Sequence, residues 1–407
     1  MNPIRSAYCR AFQACFRAAL PALPYREPVI LDGLDKVAGA LGQRDVSRVL
    51  LVTDPGIVAL HLADGLVASL SSNGIDCAVF GDTVANPTVD NVEEALARYR
   101  ERGCQAIIGF GGGSAMDCAK AVAARVARPR KSLAQMRGLL RVRRRCPLLV
   151  AVPTTAGTGS EVTLAAVITD AREHHKYVIN DFSLIPRIAV HDYRVTLALP
   201  PAITATTGMD ALTHAIEAYI GRTTTAYTRA CAEEAVAIIH RDLERAYLDP
   251  GDIDARRGML LASYRAGVAF TRSYVGYVHG IAHSLGGCYG LAHGLANAVV
   301  LPHVLRAYGR SCERSLARLA RLVGLVDAAA GDAAGAEALI SWIEGMNERM
   351  GIPRHIDCIR GRDVPQMVAH CDAECNPLYP VPRLMDRSEL GEMYRVVAGG
   401  RFVDEEE

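Results

Sequence analysis

The chain has 407 residues, a length that suits two or three domains of roughly 100–200 residues each. Half of the residues are hydrophobic, which is ample for large cores, and 45 basic residues against 44 acidic leave a net charge of +1. That balance gives no support to nucleic acid or a membrane surface as a partner, and no apolar run reaches the ~18–20 residues of a membrane span.

Twelve cysteines occur without any CxxC pair, the closest being Cys371 and Cys375. Without a secretory signal ahead of them, they are expected to be reduced thiols of a cytoplasmic protein rather than a disulfide framework. The first twenty residues carry Arg5, Arg10 and Arg17 and no acid, which suits a transit peptide but lacks its serine enrichment. An N-terminal helix over Tyr8–Leu20, packed on the body, is the expectation.

From there the N-terminal half alternates short β-rich runs with helical stretches. Val46–Thr53 reads as a buried strand ending at Asp54-Pro55-Gly56, and Asp76–Phe80 as a second strand. Asn91–Arg102 has helical spacing. Gln105–Phe110 is a strand stopped by Gly111-Gly112-Gly113, and Leu148–Val152 one stopped by Pro153. Such alternation predicts βαβ units and a mostly parallel sheet. Near Leu199-Pro200-Pro201 the pattern changes to helix after helix: Thr207–Tyr219, Tyr227–Tyr247, Ala255–Phe270 and Ala296–Tyr308. The domain boundary is placed there, giving residues 1–198 as an α/β domain and 199–407 as an all-helical one. Val326–Leu339 reads as a helix–loop–helix edge and Asp404–Glu407 as a solvated acidic end.

Gly111-Gly112-Gly113-Ser114 follows a strand and opens a helix over Ala115–Arg125. Glycines allow close backbone approach, and the helix start offers N–H groups to a pyrophosphate. A tight turn capped by Ser114 is the plain alternative. Pro153–Glu161 also follows a strand and carries three Thr, one Ser and two Gly. Donor-rich loops at consecutive strand ends are where open α/β sheets bind ligands. Asp54 stands at another strand end, where a carboxylate accepts from an adenosine ribose and repels the 2′-phosphate of NADP; it equally suits a turn cap.

In the helical half, Asp210 and His214 are four apart and share one helix face with Thr213 and Glu217. His279 and His283 repeat that spacing among apolar and small residues, and His293 follows a glycine-rich turn. One such histidine is unremarkable in a core; three with a carboxylate suit Fe, Zn, Mn or Co.

Four stretches, GGGSAMDCAK (Gly111–Lys120), PTTAGTGSEVT (Pro153–Thr163), GMDALTHAIEAY (Gly208–Tyr219) and VHGIAHSLGGCYGLAHGLANAVVLPHV (Val278–Val304), resemble the iron-containing, or group III, alcohol dehydrogenase family. The resemblance implies a dehydroquinate synthase-like fold, an α/β nucleotide-binding domain plus an all-α domain, with the active site in the cleft between them. It implies that Asp210, His214, His279 and His293 ligate one divalent metal, usually Fe(II), sometimes Zn(II). It places His283 near nicotinamide and substrate as part of a proton path. For NAD it implies contacts from Gly112, Gly113, Ser114, Asp117, Thr154, Thr155, Thr158 and Val167, with Lys176 near the nicotinamide ribose, Asn86 in the nucleotide loop and Asp54 at the position that favours NAD. Its members commonly form dimers or larger assemblies, so a homo-oligomer acting on a small alcohol or aldehyde is expected.

Two stretches depart from the family's pattern. Between Arg125 and Arg145 the chain has nine Arg or Lys and no acid, read as a solvated excursion or a contact for an acidic partner. Phe270–Tyr277 is expected to face the substrate, with Arg272 and Tyr274 unusually bulky or polar there. Competing readings are glycerol dehydrogenase, a dehydroquinate synthase-like lyase or a maleylacetate reductase on the same scaffold; the Asp-x-x-x-His and His-x-x-x-His pairs favour an alcohol dehydrogenase. A sensor or nucleic-acid binder using Arg125–Arg145 is the remaining class, but single-strand binders interleave aromatics with their cations and this stretch has none.

Overall fold

Apolar runs that bury both of their faces build the first unit, Pro24–Ala198. The computed structural model describes residues 1–170 and 175–405. A helix α1 (Pro3–Ala19) comes first and belongs to the second unit. The first unit then runs β1 (Val29–Leu31), α2 (Val37–Gly42), β2 (Arg48–Val52), α3 (Pro55–Ala59), α4 (Asp64–Ser72), β3 (Asp76–Phe80), α5 (Val89–Glu101), β4 (Ala106–Gly111), α6 (Gly113–Ala127), β5 (Gly138–Leu139), β6 (Leu148–Pro153), β7 (Ala165–Asp170), β8 (His175–Asn180) and β9 (Ile188–Val190).

Six of the strands form one sheet in the order β1-β9-β6-β4-β2-β3, parallel throughout. Successive side chains of a strand point to opposite faces. Leu50 and Val52 accordingly pack with Ile107, Val92 and Val122 on the α5 and α6 side, while Val49 and Leu51 pack with Ile108, Leu41, Leu66 and Leu70 on the other. Both faces being covered is the condition under which parallel sheets are found. The chain leaves β2 toward β3 on one side and then crosses back to β4 on the other. The ends of β2 and β4 therefore flank the switch point where such sheets bind ligands.

The four expected strands appear as β2, β3, β4 and β6. The three-residue strands β1 and β9 and the small sheet β5-β8-β7 had no readable period. Helix α6 starts two residues earlier than expected, so Gly112 rather than Ser114 is its N-cap.

The second unit comprises α1 and, from Leu199 on, α7 (Pro201–Ile220), α8 (Ala226–Leu248), α9 (Ile253–Ser273), α10 (Tyr277–Tyr289), α11 (His293–Tyr308), α12 (Glu313–Leu322), α13 (Asp332–Arg349), α14 (Val364–Cys375) and α15 (Arg387–Val397). Among the described residues no strand follows Val190. The first 23 residues depart from the expected 1–198 grouping, because α1 is tied to the helical unit. Arg5 pairs with Asp372 at 2.7 Å, Arg10 donates to the carbonyls of Val381 and Pro382, and Gln13 donates to that of Tyr379.

Asp404 is not simply solvated, since its carboxylate accepts from the backbone N–H groups of Gly361 and Arg362; Glu406 and Glu407 lie outside the described residues. The basic stretch is a folded loop tied to its own carbonyls. Arg125 pairs with Glu93 and donates to the Lys131 carbonyl, Lys131 donates to that of Arg141, and Asp181 accepts from the N–H groups of Val142 and Arg143.

Candidate metal centre and nucleotide loop

Helix α7 carries Asp210 and His214 one turn apart, α10 carries His279, and α11 opens with His293. One donor atom from each of these four side chains lies within 4.8 Å of the other three. His214 is held by a parallel stack on Phe270, ring centroids 4.0 Å apart, and by a second stack on His279 at 4.5 Å. The start of α11 sits tight against α7. A Cβ on Gly294 would lie 2.4 Å from the Thr206 carbonyl oxygen, so glycine is required beside His293.

Glu217, on the same polar stripe of α7, explains the histidine orientation. Its carboxylate is buried and accepts from the N–H groups of Gly276 and Val278 at 2.8 and 2.9 Å, at the start of α10, and from His279 Nδ1 at 2.6 Å. Burial pushes Glu217 up to about 7, against the pull of those donors. Burial and the neighbouring imidazoles hold His279 well below its ordinary range, hence neutral. With Nδ1–H donated to Glu217, the Nε2 lone pair of His279 faces the cluster, the arrangement in which outer carboxylates orient metal-binding imidazoles.

Asn297, fully buried one turn beyond His293, completes the ring of partners. Its Nδ2 lies 2.7 Å from Asp210 Oδ1, 3.1 Å from His293 Nε2 and 3.3 Å from His279 Nε2. Three acceptors converging on one point exceed what a single amide can satisfy with two hydrogens. Three imidazole nitrogens and a carboxylate, mutually close and buried apart from the half-buried His293, fit one divalent cation in both donor chemistry and number.

His283 does not join this set. Its ring stacks on His293 at 5.1 Å, and its Nδ1 contacts Glu374 Oε1 at 2.6 Å. Of the Phe270–Tyr277 stretch, Phe270 touches the cluster through His214. Arg272 instead lies over the Tyr227 ring at 4.9 Å, and Tyr277 is buried with its hydroxyl donating to Asn376.

In the sheet unit the expected nucleotide contacts gather at the ends of β2, β4 and β6. A Cβ on Gly112 would lie 3.6 Å from the Thr155 side chain, one on Gly113 3.0 Å from Thr158, and one on Gly111 3.1 Å from Asp54 Oδ2. Asp54 caps α3 through Oδ1, which accepts from the Ile57 N–H at 3.0 Å, leaving Oδ2 toward the glycines. No side chain caps α6. The Thr155 Oγ1, beside Gly112, is buried without a protein partner. An uncapped helix start and an orphaned hydroxyl at a glycine cradle fit a phosphate-bearing ligand.

Asn86 donates its N–H to Ser114 Oγ at 3.2 Å and accepts from Lys176 Nζ at 2.7 Å. Asp117 is engaged within the protein, accepting from Ser160 Oγ at 2.9 Å and from the Val167 N–H at 3.1 Å, and Thr154 donates its N–H to the Gly111 carbonyl. These three brace the loop. In the sequence Glu217 reads only as a polar residue on the face of Asp210 and His214, and Asn297 only as part of the Val278–Val304 stretch. Glu374 has no signal at all, because it stands 91 residues from His283.

Residues 30–193 match the family described as iron-containing alcohol dehydrogenase, and residues 204–397 match the C-terminal domain of the Fe-containing alcohol dehydrogenase family. The chain belongs to the iron-containing alcohol dehydrogenase family. It is 38% identical over 323 residues to alcohol dehydrogenase 4 of Saccharomyces cerevisiae, a match spanning 79% of this chain and 83% of that protein. The crystal structure of a 1,3-propanediol oxidoreductase superposes with a TM-score of 0.87 at 34% identity, covering 92% of this chain and 99% of that one. The sulfoacetaldehyde reductase of Bifidobacterium kashiwanohense, solved in complex with NAD+, superposes with a TM-score of 0.82 at 28% identity, covering 93% and 99%. This iron-containing alcohol dehydrogenase family member is therefore an oxidoreductase, and its relatives do not favour the lyase alternative.

Proposed function

We propose that this enzyme interconverts a primary or small secondary alcohol and its aldehyde or ketone, using NAD(H) and one divalent cation, Fe(II) first and Zn(II) second. The observation that carries the proposal is the approach of Asp210, His214, His279 and His293 to within 4.8 Å of one another. When bound, the cation supplies Lewis acidity toward the alcohol oxygen and the nicotinamide accepts hydride. Glu217 orients His279 so that Nε2 faces the cluster, and Asn297 holds Asp210. His283 takes the hydroxyl proton at Nε2, the nitrogen not engaged by Glu374. Gly112, Gly113, Ser114, Thr155 and Thr158 cradle the pyrophosphate, while Lys176 and Asn86 hold the ribose side. Asp54 Oδ2 favours NAD over NADP by repelling a 2′-phosphate.

The same proposal makes the enzyme a cytoplasmic homo-oligomer. All twelve cysteines are free thiols, as in a reducing compartment, and no described helix is long and apolar enough to cross a membrane. The edge strand β1 exposes Val29 and Ile30, apolar residues on an unpaired strand edge that suit pairing with a second copy.

The test is a panel of small alcohols and aldehydes with NAD(H) and NADP(H), run on metal-stripped protein reloaded with Fe(II) or Zn(II). Metal-dependent NADH formation with at least one alcohol is expected. Tight binding of both metal and NAD without turnover of any alcohol or carbonyl in the panel would refute the proposal.

A further inference from the structure

His283 sits on α10 and Glu374 on α14, and the two helices meet unusually closely. A Cβ on Gly280 would lie 2.2 Å from Cys375 Sγ and 3.0 Å from Cys371 Sγ. That missing side chain lets α14 approach until Glu374 Oε1 reaches His283 Nδ1 at 2.6 Å. The same oxygen accepts from the Tyr379 hydroxyl, also at 2.6 Å. Tyr379 in turn faces Tyr274, ring centroids 6.2 Å apart, and Tyr274 meets Phe16 of α1 edge-on at 5.1 Å. One carboxylate oxygen is thus held by both the histidine and the Tyr379 hydroxyl, and the histidine ring is clamped from its face by the stack on His293.

An imidazole that donates from Nδ1 carries its lone pair on Nε2. We infer that Glu374 is the positioning residue of His283, fixing its Nδ1–H tautomer and its ring orientation so that Nε2 meets the substrate hydroxyl, with Tyr379 holding Glu374 in turn. The inference rests on the proposed alcohol oxidation, in which His283 receives the hydroxyl proton. Tyr379 and the α1 contact extend the support to the N-terminal helix, which gives that helix a part in the site as well as in the fold.

Glu374→Gln keeps an oxygen in the position that accepts both bonds, whereas Glu374→Ala removes it. In the metal-loaded enzyme, Glu374→Ala should lower kcat about 10–100-fold, by analogy with the loss of an outer partner of a metal-binding histidine. KM for NAD and metal content should stay unchanged, and Glu374→Gln should restore kcat to within about threefold of wild type. In ring-15N histidine spectra of the zinc-loaded protein, an Nδ1-bound proton that disappears in His283→Ala should persist in wild type and Glu374→Gln and vanish in Glu374→Ala. Wild-type kcat in Glu374→Ala would overturn the inference. So would a Gln variant as slow as Ala, which would make charge rather than orientation the requirement. If Glu374→Ala does not fold, the Gln variant's kcat and the wild-type tautomer decide. An inactive wild type would refute the proposed function, while the Nδ1 proton would still report whether Glu374 holds His283.

Discussion

At the residue scale, the site is an exercise in keeping buried polar groups occupied. His279 has almost no exposed surface to hydrate it, so it stays neutral, and its Nδ1–H needs the buried Glu217 carboxylate. His279→Ala should abolish metal retention, measured by elemental analysis after gel filtration, and turnover with it. Glu217→Gln should weaken metal binding about 10–100-fold without abolishing it. A variant at His279 that keeps a full complement of metal would rule that residue out as a ligand. Lys120 shows a different balance. It is buried beneath the second loop, donating to Ser160, Thr163 and the Ala165 carbonyl, each at 2.9 Å. Burial lowers its pKa to about 8 from 10.5, with Asp117 and Glu161 pulling the other way. A folded-state value below the unfolded one means that the unfolded chain binds more protons between those two values. Stability contributed by Lys120 therefore rises with pH across that window, by at most about 1.4 kcal/mol per unit. Denaturant unfolding of wild type and Lys120→Met through that window should show the wild type gaining relative to the variant, and parallel curves would contradict the assignment.

At the element scale, close helix approach sets the geometry. Gly294→Ala would press a methyl group into the Thr206 carbonyl, cost about 1–3 kcal/mol by overpacking, and move His293 away from Asp210. Lower thermal stability together with weaker metal binding is expected. Gly287→Ala on α10, where a Cβ meets nothing within 4 Å, should leave metal binding intact. Equal effects of the two would show that the α11–α7 contact does not govern the site. Much of this was readable along the chain, because helical spacing puts Asp210 with His214 and His279 with His283, and strand-ending glycines are local signals. What could not be read is what tertiary bonds decide. The allegiance of α1 depends on carbonyls near Val381, Glu374 finds His283 across 91 positions, and three-residue strands such as β1 have too few side chains to show a period.

At the scale of the whole molecule, an exposed edge strand and a basic cavity lie away from the nucleotide loop. Ile30, 40% exposed on β1, should be replaceable by Lys at the cost of assembly. Wild type is expected to sediment as a dimer or larger and Ile30→Lys as a monomer; identical sedimentation would exclude β1 as the contact. Arg26, Arg44, Arg145 and Arg187 line a cavity of about 580 Å3 beside residues that begin or precede β1, β2, β4, β6 and β9, the end of the sheet opposite the glycine loop. That placement separates Arg145, at the end of the basic stretch, from the nucleotide loop. The central claim concerns a single ion held by four side chains, and stoichiometric titration tests it most directly. Metal-stripped protein receiving Fe(II) or Zn(II) in NAD and a small alcohol should form NADH in proportion to added ion and saturate at one ion per chain. Full turnover before any metal is added, or no gain on adding it, would contradict the account.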